Sequence, residues 1–255
     1  MSVMNTFIPT LPVPGEFAGR RALVTGGSRG IGAALAQRLI DGGATVVASA
    51  RSRTEDTPKD ATFISGDIRT ADGARRLVGE ALGALGGLDI LVNNAGAARV
   101  HFGEIPDEEW EDSLAINFLS AVRLTAAALP ALKESPKAAV INVSTGVSAN
   151  PPAPVMHYGA AKAALESWSK SLATQLSPAG IRVNTVVLGM MATPGGTELL
   201  ETMAGAMGAT AEQVYSSIPL GRAGDSRDAA EAIAFLLSDR AQWIAGSSLA
   251  VNGGA

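Results

Sequence analysis

Tyr158 and Lys162 stand four residues apart in an Ala-rich segment, from Met156 to about Leu176, that has few breakers and reads as a helix. On a helix that spacing puts both side chains on one face, one turn apart. A free phenol titrates near ~10 and is a poor base at neutral pH. A fixed ammonium beside it would stabilise the phenolate and lower that value, which is useful acid–base chemistry. The competing possibility is two residues that share a helix surface by chance, and the pair alone does not decide.

A second motif lies upstream. Thr25-Gly26-Gly27-Ser28-Arg29-Gly30-Ile31-Gly32 follows an apolar strand, Arg21 to Thr25, and precedes a helix running to about Asp41. Glycines at such a junction permit a tight turn, close approach to a pyrophosphate and close helix–strand packing. The helix N-terminus adds free N–H groups and positive dipole for phosphates. The spacing differs from G-x-G-x-x-G, so an ordinary Gly-rich turn is the alternative. The second strand, Ala44 to Ser49, leads into Ala50-Arg51-Ser52-Arg53, without the carboxylate that normally holds an NAD ribose. Arg51, with Arg29 inside the loop, could instead grip a 2′-phosphate, so NADP(H) is preferred and NAD(H) is the lesser option. Otherwise both arginines are solvated loop residues.

These motifs need elements to hold them. Further strands are expected over Thr62 to Ser65, Asp89 to Asn93, Ala138 to Val143, Arg182 to Val187 and Ser248 to Val251. Helices are expected over Asp72 to Leu85, Trp110 to Leu132 and Asp228 to Leu237. Apolar strands alternating with helices predict an α/β fold: a Rossmann-type doubly wound parallel sheet of about seven strands with helices on both faces. With no linker in sight, residues 19–255 form a single domain. Residues 1–18, with Pro9, Pro12 and Pro14, read as a tail or an arm laid on a neighbour.

Composition narrows the partners. The chain has 255 residues, 47% hydrophobic and 17% charged, which suits a compact enzyme. A net charge of −4 without a basic block predicts no nucleic-acid partner. No cysteine is present, which removes thiolate chemistry, and two isolated histidines, His101 and His157, do not predict a metal centre. No apolar run reads as a membrane span and no signal peptide is evident, so no membrane partner and a cytoplasmic location are expected.

In its ordered motifs the chain resembles the short-chain dehydrogenase/reductase family, from Gly19 to Ala255. The resemblance rests on Thr25 to Gly32, Asp67 after the third strand, Asn93-Asn94-Ala95-Gly96 after the fourth, Asn117, Tyr158-x-x-x-Lys162 and the ending Val251-Asn252-Gly253-Gly254. It implies hydride transfer between nicotinamide and a carbonyl or secondary alcohol, with Tyr158 as general acid/base and Lys162 lowering its pKa and binding the nicotinamide ribose. Gly26, Ser28, Arg29, Gly30, Ile31, Gly32 and Arg51 would hold the phosphates. Asp67 with Ile68 would contact the adenine, Asn94, Ala95 and Gly96 would shape the groove, and Thr193 would hold the carboxamide.

By the same resemblance Asn117 belongs to a proton relay, through a backbone carbonyl and water to Lys162; taken alone it reads as a satisfied core amide. The family's substrate-orienting Ser, thirteen residues before the Tyr, falls on Thr145, with Ser144 beside it; spacing favours Thr145. Leu188 stands where Pro is usual and Asn252 where Asp is usual. A substrate lid is expected over about 190–218, with Leu199, Leu200, Met203, Met207 and Val214 at helical spacings. Met156 and His157 sit beside Tyr158, towards the substrate or in a loop. Ala160, Ala163 and Ala164 would admit a close helix neighbour, in keeping with a homodimer or homotetramer. The rival from another class is a catalytically weak nucleotide-binding regulator on the same fold.

Overall fold

Strand β1 (Arg21–Thr25) shows why the sheet is covered on both sides: Ala22 and Val24 enter one core and Leu23 the other. A computed structural model describes residues 13–206 and 208–255. After β1 come α1 (Gly30–Asp41), β2 (Thr45–Ala50), β3 (Thr62–Ser65), α2 (Ala71–Leu85), β4 (Ile90–Asn93), α3 (Asp107–Leu114) and α4 (Ser120–Lys133). Then follow β5 (Ala139–Thr145), α5 (Met156–Leu176), β6 (Arg182–Leu188), α6 (Pro194–Ala206), α7 (Ala211–Ser216), α8 (Ser226–Leu237) and β7 (Ser248–Val251).

The seven strands pair in parallel in the order β3-β2-β1-β4-β5-β6-β7. Leu35 and Leu39 of α1 and Ile233 and Leu237 of α8 fill one core. Leu77 of α2, Leu124 and Leu132 of α4 and Leu172 and Leu176 of α5 fill the other. Burying such a side chain contributes about 1.5–3 kcal/mol each. The chain runs outwards from β1 to β3, then returns to β4 on the other side of β1. A crevice therefore opens beyond the C-terminal ends of β1 and β4, where doubly wound sheets bind ligands.

Polar ties set this sheet. At the far end of β1, Asp89 accepts from the Arg21 N–H at 2.8 Å, from Arg21 Nε at 2.9 Å and from Ser135 Oγ at 2.6 Å. Burial opposes its charge, but these bonds outweigh it and hold the carboxyl down at about 2. At the site end, Asn93 Nδ2 donates to Asn142 Oδ1 at 2.8 Å and to Thr125 Oγ1 at 3.2 Å, and Asn142 Nδ2 donates to Ser169 Oγ at 2.7 Å. This buried ladder fixes β4 and β5 against α4 and α5.

Several boundaries differ from the sequence expectation. The long helix starts at Asp107 rather than Trp110, because Pro106 supplies the extended cap and Asp107, Glu108 and Glu109 suit a first turn. It is also interrupted by a π-helical turn, Ala115–Leu119, before α4. By length and composition the helix Asp107–Lys133 could cross a membrane, contrary to the expectation that no run qualifies, but Leu124 and Leu132 place it in the domain core. The Pro-rich segment lies mostly outside the described residues. Within residues 13–18, Phe17 is fully buried and Glu16 pairs with Arg38 and with Arg240, the latter at 2.6 Å. The expected lid carries α6 and α7, with Leu199, Leu200, Met203 and Val214 half-buried; Met207 is outside the described residues.

Candidate active site

Tyr158 and Lys162 lie in the first turns of α5, which packs along β5 and β6. Tyr158 is half-buried, and its phenol lies close enough to the hydroxyl of Thr145, the last residue of β5, for that hydroxyl to favour its ionised form. Lys162 is buried, and its Nζ donates to the Val143 carbonyl at 2.7 Å. Burial pushes the phenol up to about 12, and the Thr145 hydroxyl recovers only part of that. Burial likewise pushes the Lys162 ammonium down to about 8, against the attraction of Glu166. The expectation that Lys162 lowers the Tyr158 pKa is therefore corrected: burial sets the direction of the shift, and Lys162 is not among its causes. Desolvation dominates the phenol, leaving it a protonated hydroxyl at neutral pH.

The two candidate hydroxyls have different neighbours. Ser144 is buried, and its Oγ donates to Glu166 Oε1 at 2.5 Å, an oxygen that also accepts from Ser148 Oγ at 2.5 Å. Thr145 is half-buried and meets Tyr158. Adjacent strand residues project differently, so only one of the pair can share the Tyr158 hydroxyl's environment. Leu188 has a simple consequence: β6 continues through it, pairing with Thr145 on one side and Val251 on the other. A Pro there could not donate to such a ladder.

Asn117 sits in the π-helical turn, a feature often found at functional sites. Its Nδ2 donates to the Ala97 carbonyl at 2.8 Å and its Oδ1 accepts from the Ala97 N–H at 3.0 Å. Asn117 thus clamps the segment after β4 rather than bonding towards Lys162, which is tied to Val143. Between the two lies Gly96, where a Cβ would stand 2.8 Å from Asn117 Oδ1 and 3.5 Å from Lys162 Nζ.

The glycine loop closes on the same crevice. Gly26 and Gly30 adopt φ of +67° and +56°, a region that favours glycine. A Cβ on Gly32 would collide with the Gly26 carbonyl and come within 2.6 Å of Asn94 Nδ2. Thr25 Oγ1 accepts from the Asn94 and Ala95 N–H groups, both at 3.1 Å, while Asn94 Nδ2 donates to the Thr25 carbonyl at 2.9 Å. Ser28 is buried, with its carbonyl accepting from the Thr54 and Thr57 hydroxyls. Ile31 packs on the first core and Ile68 is buried in the second. Thr193 faces Gly30, and its Oγ1 accepts from the Gly196 N–H at 3.1 Å.

Arg29 and Arg51 are exposed at the ends of this loop and of β2, and neither pairs with a carboxylate among the described residues. Asp67 is exposed, and it accepts from the Arg69 N–H at 2.9 Å and pairs with the Arg69 guanidinium at 3.1 Å. His157 does not line the crevice; it is buried against His101 and Trp110, a grouping that sequence separation conceals.

A family model described as enoyl-(acyl carrier protein) reductase matches residues 26–255. A 3-oxoacyl-(acyl carrier protein) reductase of Haemophilus influenzae is 37% identical over 250 residues, covering 92% of this chain and 98% of the relative. The chain is a short-chain dehydrogenase/reductase. As such it is an oxidoreductase, and its seven-stranded parallel sheet with helices on both faces is a Rossmann-type fold. A short-chain dehydrogenase from Burkholderia cenocepacia, solved in complex with NADP, superposes with a TM-score of 0.81 at 30% identity, covering 94% of this chain and 98% of that one. The same family holds a 2,5-dichloro-2,5-cyclohexadiene-1,4-diol dehydrogenase of Sphingobium indicum, 35% identical over 253 residues, covering 94% of this short-chain dehydrogenase/reductase and 97% of the relative.

Proposed function

We propose that this enzyme interconverts a carbonyl compound and its secondary alcohol with NADP(H), and that Tyr158 moves the proton. The meeting of the Thr145 and Tyr158 hydroxyls one turn from buried Lys162, in the crevice closed by the glycine loop, carries this reading. The residues fit the cofactor: Gly32 lets α1 pack directly on the Gly26 carbonyl at the loop, and the first turn of α1 presents unpaired N–H groups for phosphate. Gly26, Ser28, Gly30 and Ile31 would line the pyrophosphate, and Arg29 and Arg51 would take the 2′-phosphate. Asp67 and Ile68 would contact the adenine, Asn94, Ala95 and Gly96 would shape the groove, and Thr193 would hold the nicotinamide carboxamide. When bound, the reduced cofactor supplies the hydride for the carbonyl carbon.

Thr145 donates to the substrate oxygen and Tyr158 gives it a proton, so an alcohol forms; oxidation reverses both movements. A phenol held near about 12 is a competent donor to an alkoxide-like oxygen, which is more basic still. Lys162 keeps two N–H groups beyond its bond to Val143, enough to hold the nicotinamide ribose. Asn117 keeps the Ala97 segment, and hence Gly96, against that ribose. Assembly as a dimer or tetramer is consistent with the exposed Ala160 and Ala163 on α5.

An NADPH-consumption screen over ketones, aldehydes, quinones, 3-oxoacyl thioesters and sugars tests this function. Turnover of at least one carbonyl class is expected, with NADPH favoured over NADH and Arg51→Ala shrinking that preference by about tenfold, the value of one charge-assisted contact. NADPH binding without turnover of any class would point to a regulator instead. The Thr145 assignment has its own check. Thr145→Val should lower kcat by about 10- to 100-fold, as expected for losing a hydrogen bond to a developing charge of about 1.5–3 kcal/mol. Ser144→Ala should leave kcat nearly unchanged; the opposite ranking in steady-state kinetics would move the role to Ser144.

A further inference from the structure

Two histidines far apart in sequence, His101 in the segment after β4 and His157 in the first turn of α5, meet at ring centroids 5.5 Å apart, edge to face. Glu109 of α3 joins them, with its Oε2 3.6 Å from His101 Nε2. One donor atom from each of the three residues lies within 4.8 Å of the other two. His157 is only 2% exposed, and its Nδ1 has no hydrogen-bond partner; neither has the buried His101 Nε2. An unsatisfied buried polar atom costs about 1–3 kcal/mol, so two at one spot call for a shared ligand.

We propose that His101, Glu109 and His157 form a site for one divalent transition-metal ion of the zinc type. Two imidazoles and a carboxylate are a common donor set for zinc, with water taking the remaining position. Bonds of about 2.0–2.2 Å at tetrahedral angles separate donors by roughly 3.3–3.6 Å. The His101–Glu109 edge already has that spacing, and His157 needs a movement on the order of 1 Å, within reach of a side-chain rotation.

The local charge suits a cation. Arg99 Nη1 holds Glu109 Oε2 at 2.9 Å and Asp112 at 2.7 Å, and Arg69 holds Asp112 at 2.5 Å, so the ion would share Glu109 with Arg99; the further negative charge comes from Asp107, Glu108 and Glu111 on α3. The His101 N–H donates to the Pro154 carbonyl at 2.9 Å, and Trp110 meets the His157 ring edge to face. An ion here would pin the segment after β4 and the start of α3 to the turn of α5 that carries Tyr158. Its place is structural, behind the crevice rather than in it.

The test uses the full chain, stripped with a chelator, titrated with Zn²⁺ by calorimetry and with Co²⁺ by visible absorption. One ion per chain is expected, with a tetrahedral-type Co²⁺ spectrum and a thermal midpoint raised by Zn²⁺. His101→Ala and Glu109→Gln, both at partly exposed positions that tolerate truncation, should each weaken binding by at least about tenfold and abolish the thermal shift. Asp112→Asn, which removes charge but no donor, should leave the Co²⁺ spectrum intact. No saturable binding to the wild-type chain, equal binding by the His101 and Glu109 variants, or loss of the spectrum in Asp112→Asn would each overturn the site.

Discussion

Tyr158→Phe is expected to lower kcat by about 10²–10⁴-fold, the usual contribution of a positioned acid–base group, while the protein still binds NADPH. The substitution keeps the ring and its packing in the first turn of α5 and removes only the hydroxyl that meets Thr145. The cost to folding is small, since one hydrogen bond is worth about 0.5–1.5 kcal/mol net and burial already disfavours the charged phenol. Steady-state kinetics on the best carbonyl from the screen, with fluorescence titration of NADPH, read the two halves separately. Reduced kcat with unchanged nucleotide binding supports the proton-transfer role. Full activity in the variant would sink it, and loss of both together would mean that the hydroxyl serves nucleotide binding or folding rather than proton transfer.

That prediction could be written from the sequence because four-residue spacing on a helix is a local property. The strands β1, β3 and β7 and the helix α5 were legible for the same reason: their apolar runs and breakers are contained within the segment. The doubly wound parallel sheet follows from strand–helix alternation, whereas the order β3-β2-β1-β4-β5-β6-β7 does not. What stayed hidden depends on contacts between distant segments. Thr145 and Ser144 are neighbours in sequence, and what distinguishes their surroundings is a residue of α5, Glu166, which accepts from the Ser144 hydroxyl. The π-helical turn around Asn117 leaves no mark in an otherwise helical pattern. The raised Tyr158 pKa comes from the bulk of protein around it, which motif spacing does not report. His101 and His157 looked isolated because no periodicity links a loop after β4 to the start of α5.

Gly32→Ala is expected to reduce NADPH affinity by about 10²-fold or more, the scale on which a displacement of about 1 Å at a binding element acts. Most glycines tolerate a methyl group when the space is open. Gly79, on the exposed side of α2, has nothing within 4 Å of a built Cβ, and there Ala should be neutral or stabilising by about 0.5–1 kcal/mol. Gly32 is the reverse case. Its Cβ would enter the Gly26 carbonyl and approach Asn94 Nδ2, and both are held: Gly26 by the turn leaving β1, and Asn94 by its bond to the Thr25 carbonyl. Neither is the yielding end of a flexible side chain, so α1 must back away from β1. The phosphate-facing N–H groups move with the helix. Calorimetric titration with NADPH and thermal melts of the Gly32→Ala and Gly79→Ala proteins separate the outcomes. A folded Gly32→Ala protein with weakened binding places the cofactor on this loop. Wild-type affinity in that protein would move the cofactor elsewhere, and with it the hydride transfer proposed beside Tyr158 and Thr145.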